Sequence, residues 1–298
     1  MSTNNNNQTA RSYQKQFKDF LQAVFRTQAY FGDFFGGGIE VLDGVQHNAT
    51  AFSLKTSDIP VVVGDKYITD PNVGFGTGTS NSSRFGERKE IIYTDTDVPY
   101  TWGWRYHEGI DRFTVNNAME SAIADRLDLQ AQAKMKQFNE AHSKFIASVA
   151  GYTKQLTGYT NDAILALFND LSKYFLNIEA VGTKVAKVNA ELYNAIVDHP
   201  LMTSGKHSAV NIDNNNLPMF KGFVIQQVPD AQLQGNNVAY AYITNVGRAF
   251  TGINTARAIE SEDFDGVALQ GAGKAGEFIL DDNKKAVVKV NKDNTPEG

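Results

Sequence analysis

The amino-acid sequence predicts an α+β fold in which one long helix supports strands that precede it and strands that follow it in the sequence. Residues 114–150 contain neither Gly nor Pro, which favours an unbroken helix. Residues 51–63 and 89–106 are rich in β-branched and aromatic residues, and helical and strand-like segments alternate after residue 156. The chain has 298 residues, of which 42% are hydrophobic, so it can bury one large core or two ordinary ones.

The long helix is predicted over residues 114–150, which at about 1.5 Å per residue span roughly 55 Å. Asn117 followed by Glu120 resembles a capping box at its start. Apolar residues step by four through the first half and by three or four through the second, so the predicted buried stripe rotates. We expect the first half to pack on one sheet or subdomain and the second on another; a helix broken near Gln130 is the alternative. The stripe consists of Val115, Met119, Ile123, Leu127, Ala131 and Met135, and then of Phe138, Ala141, Phe145 and Val149.

Composition argues against several classes of function. Without cysteine the chain has no disulfide, no thiolate nucleophile and no thiolate metal ligand. A net charge of -5 is unlike that of a dedicated nucleic-acid binder. No apolar run approaches the roughly 20 residues that cross a bilayer, and residues 1–10 are polar, which predicts neither an anchor nor a signal peptide. We expect a protein that stays in the cytoplasm and has no membrane partner.

The N-terminal region combines a polar tail with an aromatic helix. Residues 2–10 are too polar to order themselves, and a helix is predicted from Arg11. Its apolar face belongs either to the core of the chain or to an arm that docks on a neighbouring subunit. On the second interpretation, deletion of residues 1–35 impairs assembly and leaves the remaining fold intact. The face consists of Tyr13, Phe17, Phe20, Leu21, Val24 and Phe31.

Residues 44–106 are predicted to form a long hairpin. Its strands occupy residues 51–63 and 89–106, and a glycine-rich loop at residues 74–86 lies between them. A hairpin of two strands is barely stable alone in water. We therefore expect this hairpin to lie on a partner.

The segments after the long helix predict a second domain. A helix at residues 161–176 is capped by Thr160 or Asn161, a strand covers 180–188, and a short helix covers 191–197. Strands are then predicted at 222–228 and 238–244. The last strands, at 256–259, 278–280 and 286–290, are expected to return to the sheet that supports the long helix.

No motif in the sequence predicts catalysis. Residues 271–276 match the GxGxxG pattern of dinucleotide-binding loops, but no helix and second strand can follow, so we expect a flexible turn. The five histidines lack metal-ligand spacing, and His142 is expected to pack or to meet solvent. The acidic clusters at residues 260–263 and 281–282 are expected to be solvated turns. The sequence therefore predicts no enzyme activity, cofactor, metal or catalytic residue.

The order of these elements, together with four segments, resembles the tailed-bacteriophage major capsid proteins of the Hong Kong 97 type. The segments are residues 109–116, 218–228, 245–250 and 266–274. The resemblance covers residues 11–290 and implies the boundaries of five parts. They are an N-terminal arm at 1–45, an extended loop at 46–105, a peripheral domain with the spine helix at 106–155, an axial domain at 156–242, and returning strands with a C-terminal tail at 243–298.

The resemblance also implies a function and partners. It implies a major capsid protein that self-assembles into hexamers and pentamers of an icosahedral shell around double-stranded DNA. The protein would be assembled in the bacterial host cytoplasm and located in the virion. The implied partners are other copies of the chain, a separate scaffolding protein, portal and head-completion proteins, and packaged DNA in non-specific proximity.

In such shells the extended loop lies across an adjacent subunit and the arm clasps another, which implies a set of contact residues. Lys66 and Lys89 could be donors for the covalent cross-link of some relatives, although the sequence identifies no acceptor. Two other hypotheses are an encapsulin-like compartment that packages enzymes and an isolated enzyme or adhesin domain. The implied contacts are Tyr13, Phe17, Phe20, Phe31, Gly74, Gly76, Gly78, Arg84 and Gly86.

Overall fold

The computed structural model describes residues 28–42, 50–57, 59–70, 83–86, 88–115, 118–203 and 219–293, without the side chains of residues 253 and 254. In this part of the chain, helices and strands alternate as an α+β fold predicts. The helices are α1 (Arg112–Val115), α2 (Met119–Val149), α3 (Asn161–Asn177), α4 (Ala190–Val197) and α5 (Pro200–Thr203). The strands are β1 (Ile39–Val41), β2 (Thr50–Thr56), β3 (Thr94–Pro99), β4 (Trp102–Asp111), β5 (Tyr152–Leu156), β6 (Lys184–Val188), β7 (Met219–Phe220), β8 (Phe223–Gln227), β9 (Asn237–Ile243), β10 (Gly247–Glu260), β11 (Gly266–Ile279) and β12 (Val287–Lys292).

The long helix is α2, which has 31 residues and starts later than predicted. Thr114 belongs to the short helix α1, and the residue that precedes α2 is Ala118, whose side chain makes no capping hydrogen bond. The predicted capping box of Asn117 and Glu120 therefore does not mark the start of α2, which begins at Met119. Asn117 itself lies outside the described residues. The helix continues through Gln130 without interruption, so the alternative of a break there is wrong.

The two halves of α2 are buried to different extents. Its second half buries Phe138, His142 and Ile146. In its first half, Leu127 is 42% exposed and Met135 is 37% exposed, so their predicted burial is wrong for a single chain. The reason is that this half of α2 meets β4 through Arg126 and Gln130, which both donate hydrogen bonds to Glu108.

A four-stranded sheet, ordered β1-β10-β11-β4, supports the first half of α2. The antiparallel strands β10 and β11 have 14 residues each, so the returning strands are longer than predicted. Residues 271–276 lie inside β11, between β10 and β4, and the prediction of a flexible turn there is wrong. Glycine is needed because the rings of Tyr106 and Trp104 cover Gly271 and Gly273, where a Cβ would collide with them.

A six-stranded sheet, ordered β5-β12-β9-β6-β8-β7, forms the second unit. Helices α3 and α4 cover one face, and Thr160 caps α3 by accepting a hydrogen bond from the amide of Ala163. The second half of α2 contributes Ile146 to the core on the other face. Strand β12 pairs with β9 and β5 in this sheet, so the expectation that all the last strands join the sheet under the long helix is wrong for β12.

The predicted hairpin is present but its strands are shorter than the sequence indicated. Strands β2 and β3 form an antiparallel two-stranded sheet. Residues 59–63 and 89–93, which were expected to continue these strands, are not in strands. The reason is that the described residues offer them no pairing partner, which a strand needs for its backbone hydrogen bonds.

Candidate assembly surfaces

Residues 28–42, which we call the N-terminal plug, bury three phenylalanines at the junction between α2 and the two larger sheets. Phe31, Phe34 and Phe35 are at most 2% exposed. They share one core cluster with Ile146 of α2 and Tyr242 of β9. The ring of Phe34 meets that of Tyr242 edge-on at 5.0 Å between centroids. Burial of this many aromatic side chains holds the plug inside its own chain.

Main-chain hydrogen bonds attach the plug to the start of β10. The amide of Asn245 donates to the carbonyl oxygen of Asp33 at 3.0 Å, and that of Gly247 donates to the carbonyl oxygen of Phe34 at 3.1 Å. Strand β1 then pairs in parallel with residues Ala249–Thr251. These bonds fix the main chain of the plug on its own subunit.

The plug changes two expectations from the sequence. Phe31 was a candidate for contact between subunits, but its side chain is fully buried inside its own chain. Deletion of residues 1–35 was expected to leave the fold intact, but it would remove Phe31, Phe34 and Phe35 from the core. The other contact candidates in the predicted arm lie outside the described residues. They are Tyr13, Phe17 and Phe20.

A buried ion pair joins the plug to the six-stranded sheet. Lys187 of β6 is 3% exposed, and its Nζ lies 3.1 Å from Oδ2 of Asp33. The hydroxyl of Tyr242 donates to Oδ1 of the same carboxylate at 2.9 Å. Burial lowers the pKa of Lys187, and the charge of Asp33 opposes that shift. Sequence reasoning missed this pair because a lone Lys in an apolar strand does not show which acid will reach it.

A second buried polar group links α2 to the four-stranded sheet. Glu277 of β11 accepts a hydrogen bond from Nε1 of Trp102 at 3.0 Å, and Nε2 of His142 lies 3.7 Å from the same carboxylate. Burial raises the pKa of Glu277 and lowers that of His142 to about 4. His142 also packs on the ring of Phe35, at 4.4 Å between centroids. His142 is therefore a packing residue, which is one of the two alternatives that the sequence predicts.

The base of the hairpin rests on the four-stranded sheet. Phe52 of β2 contacts the ring of Phe250 at 5.3 Å and that of Phe278 at 5.7 Å, edge-on in both cases. Tyr100, which follows β3, also meets Phe250. These aromatic contacts fix where the hairpin leaves the body of the subunit.

The outer part of the hairpin exposes a large apolar surface. We call its described residues, 59–70, 83–86 and 88–93, the hairpin limb. Val61, Val63 and Phe85 are 86%, 87% and 87% exposed. Apolar exposure this dense is unusual on a monomer and typical of an interface. The other exposed apolar side chains of the limb are Val62, Tyr67, Ile91, Ile92 and Tyr93.

Arg84 and Gly86, two of the predicted contact residues, lie in a turn of the limb. The amide of Ile68 donates to the carbonyl oxygen of Arg84 at 3.1 Å, and the Arg84 guanidinium donates back to the carbonyl oxygen of Ile68 at 3.5 Å. Gly86 has φ +82°, which favours glycine. These two residues shape the limb, whereas the candidates at 74, 76 and 78 lie outside the described residues.

The described ranges hold no cluster of three or more His, Asp or Glu side chains that could bind a metal ion. The acidic turn at residues 260–265 instead pairs with Arg112, which lies 2.8 Å from Asp265 and 3.1 Å from Glu260. None of the helices in the described residues is both long and apolar enough to cross a bilayer.

Comparison with known proteins finds structural but not sequence similarity. No protein-family model and no curated protein matches the chain. The mature capsid of bacteriophage PhiM1 matches with a TM-score of 0.64 and 10% identity, over 91% of this chain and 89% of that one. Mycobacterium phage Che8 matches with a TM-score of 0.53 and 16% identity, over 80% of this chain and 84% of that one.

A virus-like particle from Pyrococcus furiosus matches with a TM-score of 0.50 and 12% identity, over 95% of this chain and 100% of that one. These similarities show that the chain has the α+β, Hong Kong 97-like fold of phage capsids. The fold class predicted from the sequence is confirmed.

Proposed function

We propose that this protein is the major capsid protein of a tailed bacteriophage. Copies of it assemble into hexamers and pentamers of an icosahedral shell around double-stranded DNA. The observation that carries the proposal is the hairpin limb, which projects from the body and exposes Val61, Val63 and Phe85. A limb of this kind is stable only when another subunit covers it, since the two-stranded sheet at its base cannot bury these side chains.

The limb also supplies the area that a shell interface requires. Obligate interfaces bury thousands of Å², and their cores are more apolar than the rest of a protein surface. The proposed contacts between subunits are made by Arg84, Gly86 and the glycines at 74, 76 and 78. A closed symmetric arrangement of these contacts ends growth at a finite particle.

The other proposed partners follow from a shell that encloses DNA. They are a separate scaffolding protein, portal and head-completion proteins, and DNA held only by proximity. A net charge of -5 suits a shell that does not bind its contents tightly. The role is structural, and the proposal includes no catalytic step.

Electron microscopy of the recombinant protein tests the proposal. Expressed alone or with its scaffold, the protein is expected to form closed particles of uniform diameter. Small dispersed species under both conditions would contradict the proposal. Particles purified from infected cells are expected to contain double-stranded DNA, which nuclease removes only after the shell is opened.

A second candidate function is a protein compartment that packages enzymes. It is supported by the match to the virus-like particle from Pyrococcus furiosus, which extends over 95% of this chain. Mass spectrometry of purified particles distinguishes the two candidates. A single cargo protein at constant stoichiometry, without DNA, would favour the compartment.

A further inference from the structure

The first half of α2 carries an apolar ridge that nothing in the described residues covers. Leu127, Ala131 and Met135 are all exposed, and they recur at every fourth residue. Side chains spaced by four form an oblique ridge of the kind that packs into the groove of another helix. The next residue in this row, Asn139, is buried. The ridge therefore leads from an uncovered surface directly into the core.

The chain's own N-terminal segment is delivered to the buried end of this ridge. Nδ2 of Asn139 donates to the carbonyl oxygen of Gln28 at 2.7 Å, and its Oδ1 accepts from the amide of Tyr30 at 3.1 Å. The segment that ends at residue 27 is therefore tethered one helical turn from Met135. Tethering makes docking intramolecular, which raises the effective concentration of the segment at the ridge.

The sequence of residues 11–27 suits this surface in length and in pattern. Its apolar residues share one face of the helix that the sequence predicts. As a helix, the segment would span about 25 Å, and the row from residue 123 to residue 139 spans about 24 Å. The apolar face consists of Tyr13, Phe17, Phe20, Leu21 and Val24.

We propose that residues 11–27 dock as a helix along the ridge of α2 in the same subunit. The hydrogen bond between Gln28 and Asn139 sets the register. The residue four positions before Gln28 then lies beside the residue four positions before Asn139, and the same step repeats along both helices. Val24 then lies on Met135 and Phe20 on Ala131, and Phe17 follows Gln16, the residue that corresponds to Leu127. This places the aromatic face on its own spine helix rather than on a neighbour, and it holds whether or not the copies form a shell.

Engineered disulfides test the proposal directly, because the chain contains no cysteine. The variant Phe20→Cys, Ala131→Cys is oxidised under mild conditions and separated on a denaturing, non-reducing gel. We expect a cross-link within one chain, confirmed by peptide mapping. The control is Phe20→Cys, Lys136→Cys, whose second cysteine is exposed but lies about 100° away from the ridge around α2.

Two outcomes of the cross-linking would overturn the proposal. Cross-linked dimers would show that the segment docks on another subunit. Cross-linking no faster than in the control would show that it does not dock on this ridge. Neither outcome bears on particle formation, so this test and the test of shell assembly can fail independently.

Limited trypsin digestion provides a test that does not depend on disulfide geometry. Lys15, Lys18 and Arg26 are potential cleavage sites in the segment. The variant Leu127→Asp, Met135→Asp changes only exposed side chains and is expected to fold. It should increase cleavage in the segment roughly tenfold or more, equivalent to about 1.4 kcal/mol of docking free energy. An unchanged cleavage rate would overturn the proposal.

Discussion

The N-terminal plug and the hairpin limb are both aromatic segments next to glycine-rich sequence, yet their aromatic side chains differ in burial. Phe34 in the plug is fully buried, whereas Phe85 in the limb is 87% exposed. The plug has a concave junction to fill, formed by α2 and the two larger sheets. The limb extends from β2 and β3, and the apolar side chains Val61, Val63 and Phe85 in its described part are exposed. The difference shows that apolar residues become core or interface according to what surface the rest of the chain presents to them.

Polar bonds join the plug to the body of the subunit. Asp33 binds Lys187 and Tyr242, which belong to the six-stranded sheet. Arg84 of the limb bonds to Ile68, which is in the limb itself. These bonds make the plug part of the subunit, whereas the bond between Arg84 and Ile68 shapes the limb itself.

Replacing a buried ring in the plug should have the largest effect. Phe34→Ala should lower the free energy of unfolding by about 3–5 kcal/mol, because it leaves a cavity among rings that cannot collapse. The matched control is Phe85→Ala in the limb, which should change it by less than about 0.5 kcal/mol in the unassembled protein. Urea denaturation measures both values. Equal effects would show that the plug is no more part of the core than the limb is.

The ion pair between Asp33 and Lys187 should have the next largest effect. Asp33→Asn removes the carboxylate that faces a buried ammonium, so we expect a loss of about 3 kcal/mol in the free energy of unfolding. Combining it with Lys187→Met removes the uncompensated charge and should restore part of that loss. A double-mutant cycle in urea measures the coupling between the two sites. Losses that simply add would indicate that the two side chains do not act as a pair.

The sequence predicts the architecture well where periodicity alone decides it. Helix α3 follows directly from helical spacing, its cap at Thr160 is one of the two residues that the sequence predicts, and the α+β class follows from the order of the elements. The start of α2 was placed at Thr114 because a run without Gly or Pro does not show where a helix is interrupted. Side-chain burial in the first half of α2 was also predicted wrongly, because the stripe at Leu127 and Met135 indicates a contact without saying which chain provides it.

The sequence predicts the fold less accurately where contacts join residues that are far apart in the chain. The pairing of β12 with β5 joins segments more than a hundred residues apart, and its pairing with β9 joins segments about 50 residues apart, so no local pattern contains either. The glycines at 271 and 273 were interpreted as flexible because their partners, Tyr106 and Trp104, lie on another strand. The burial of Phe31 likewise depends on a junction to which α2 and both larger sheets contribute.

A pH titration tests the burial of His142, the residue of α2 that packs on Phe35 of the plug. Burial lowers the pKa of His142 to about 4, so between about pH 6.5 and 4 the unfolded chain binds a proton that the folded chain does not. Stability should therefore fall as the pH falls through this window, by up to about 1.4 kcal/mol per pH unit. Burial raises the pKa of Glu277, which acts in the opposite direction because its contribution is lost as the pH rises.

The variant His142→Gln separates the two contributions, since it retains Glu277. Urea denaturation between pH 4 and 7 should show a steeper loss of stability towards low pH for the wild-type protein than for the variant. Parallel curves would indicate that His142 is not held neutral in the folded state.

Charges placed on the limb should have the smallest effect on stability and a large one on assembly. In Val61→Asp, Val63→Asp, both side chains are already in water, so the free energy of unfolding of the single chain should change by less than about 0.5 kcal/mol. If another subunit covers these positions, assembly must bury two carboxylates, and sedimentation velocity should show a loss of large particles. The control Val61→Thr, Val63→Thr keeps the branched shape without charge and should assemble better than the charged variant. Normal assembly of the charged variant would mean that this part of the limb faces solvent in the particle, and that the contacts between subunits lie elsewhere.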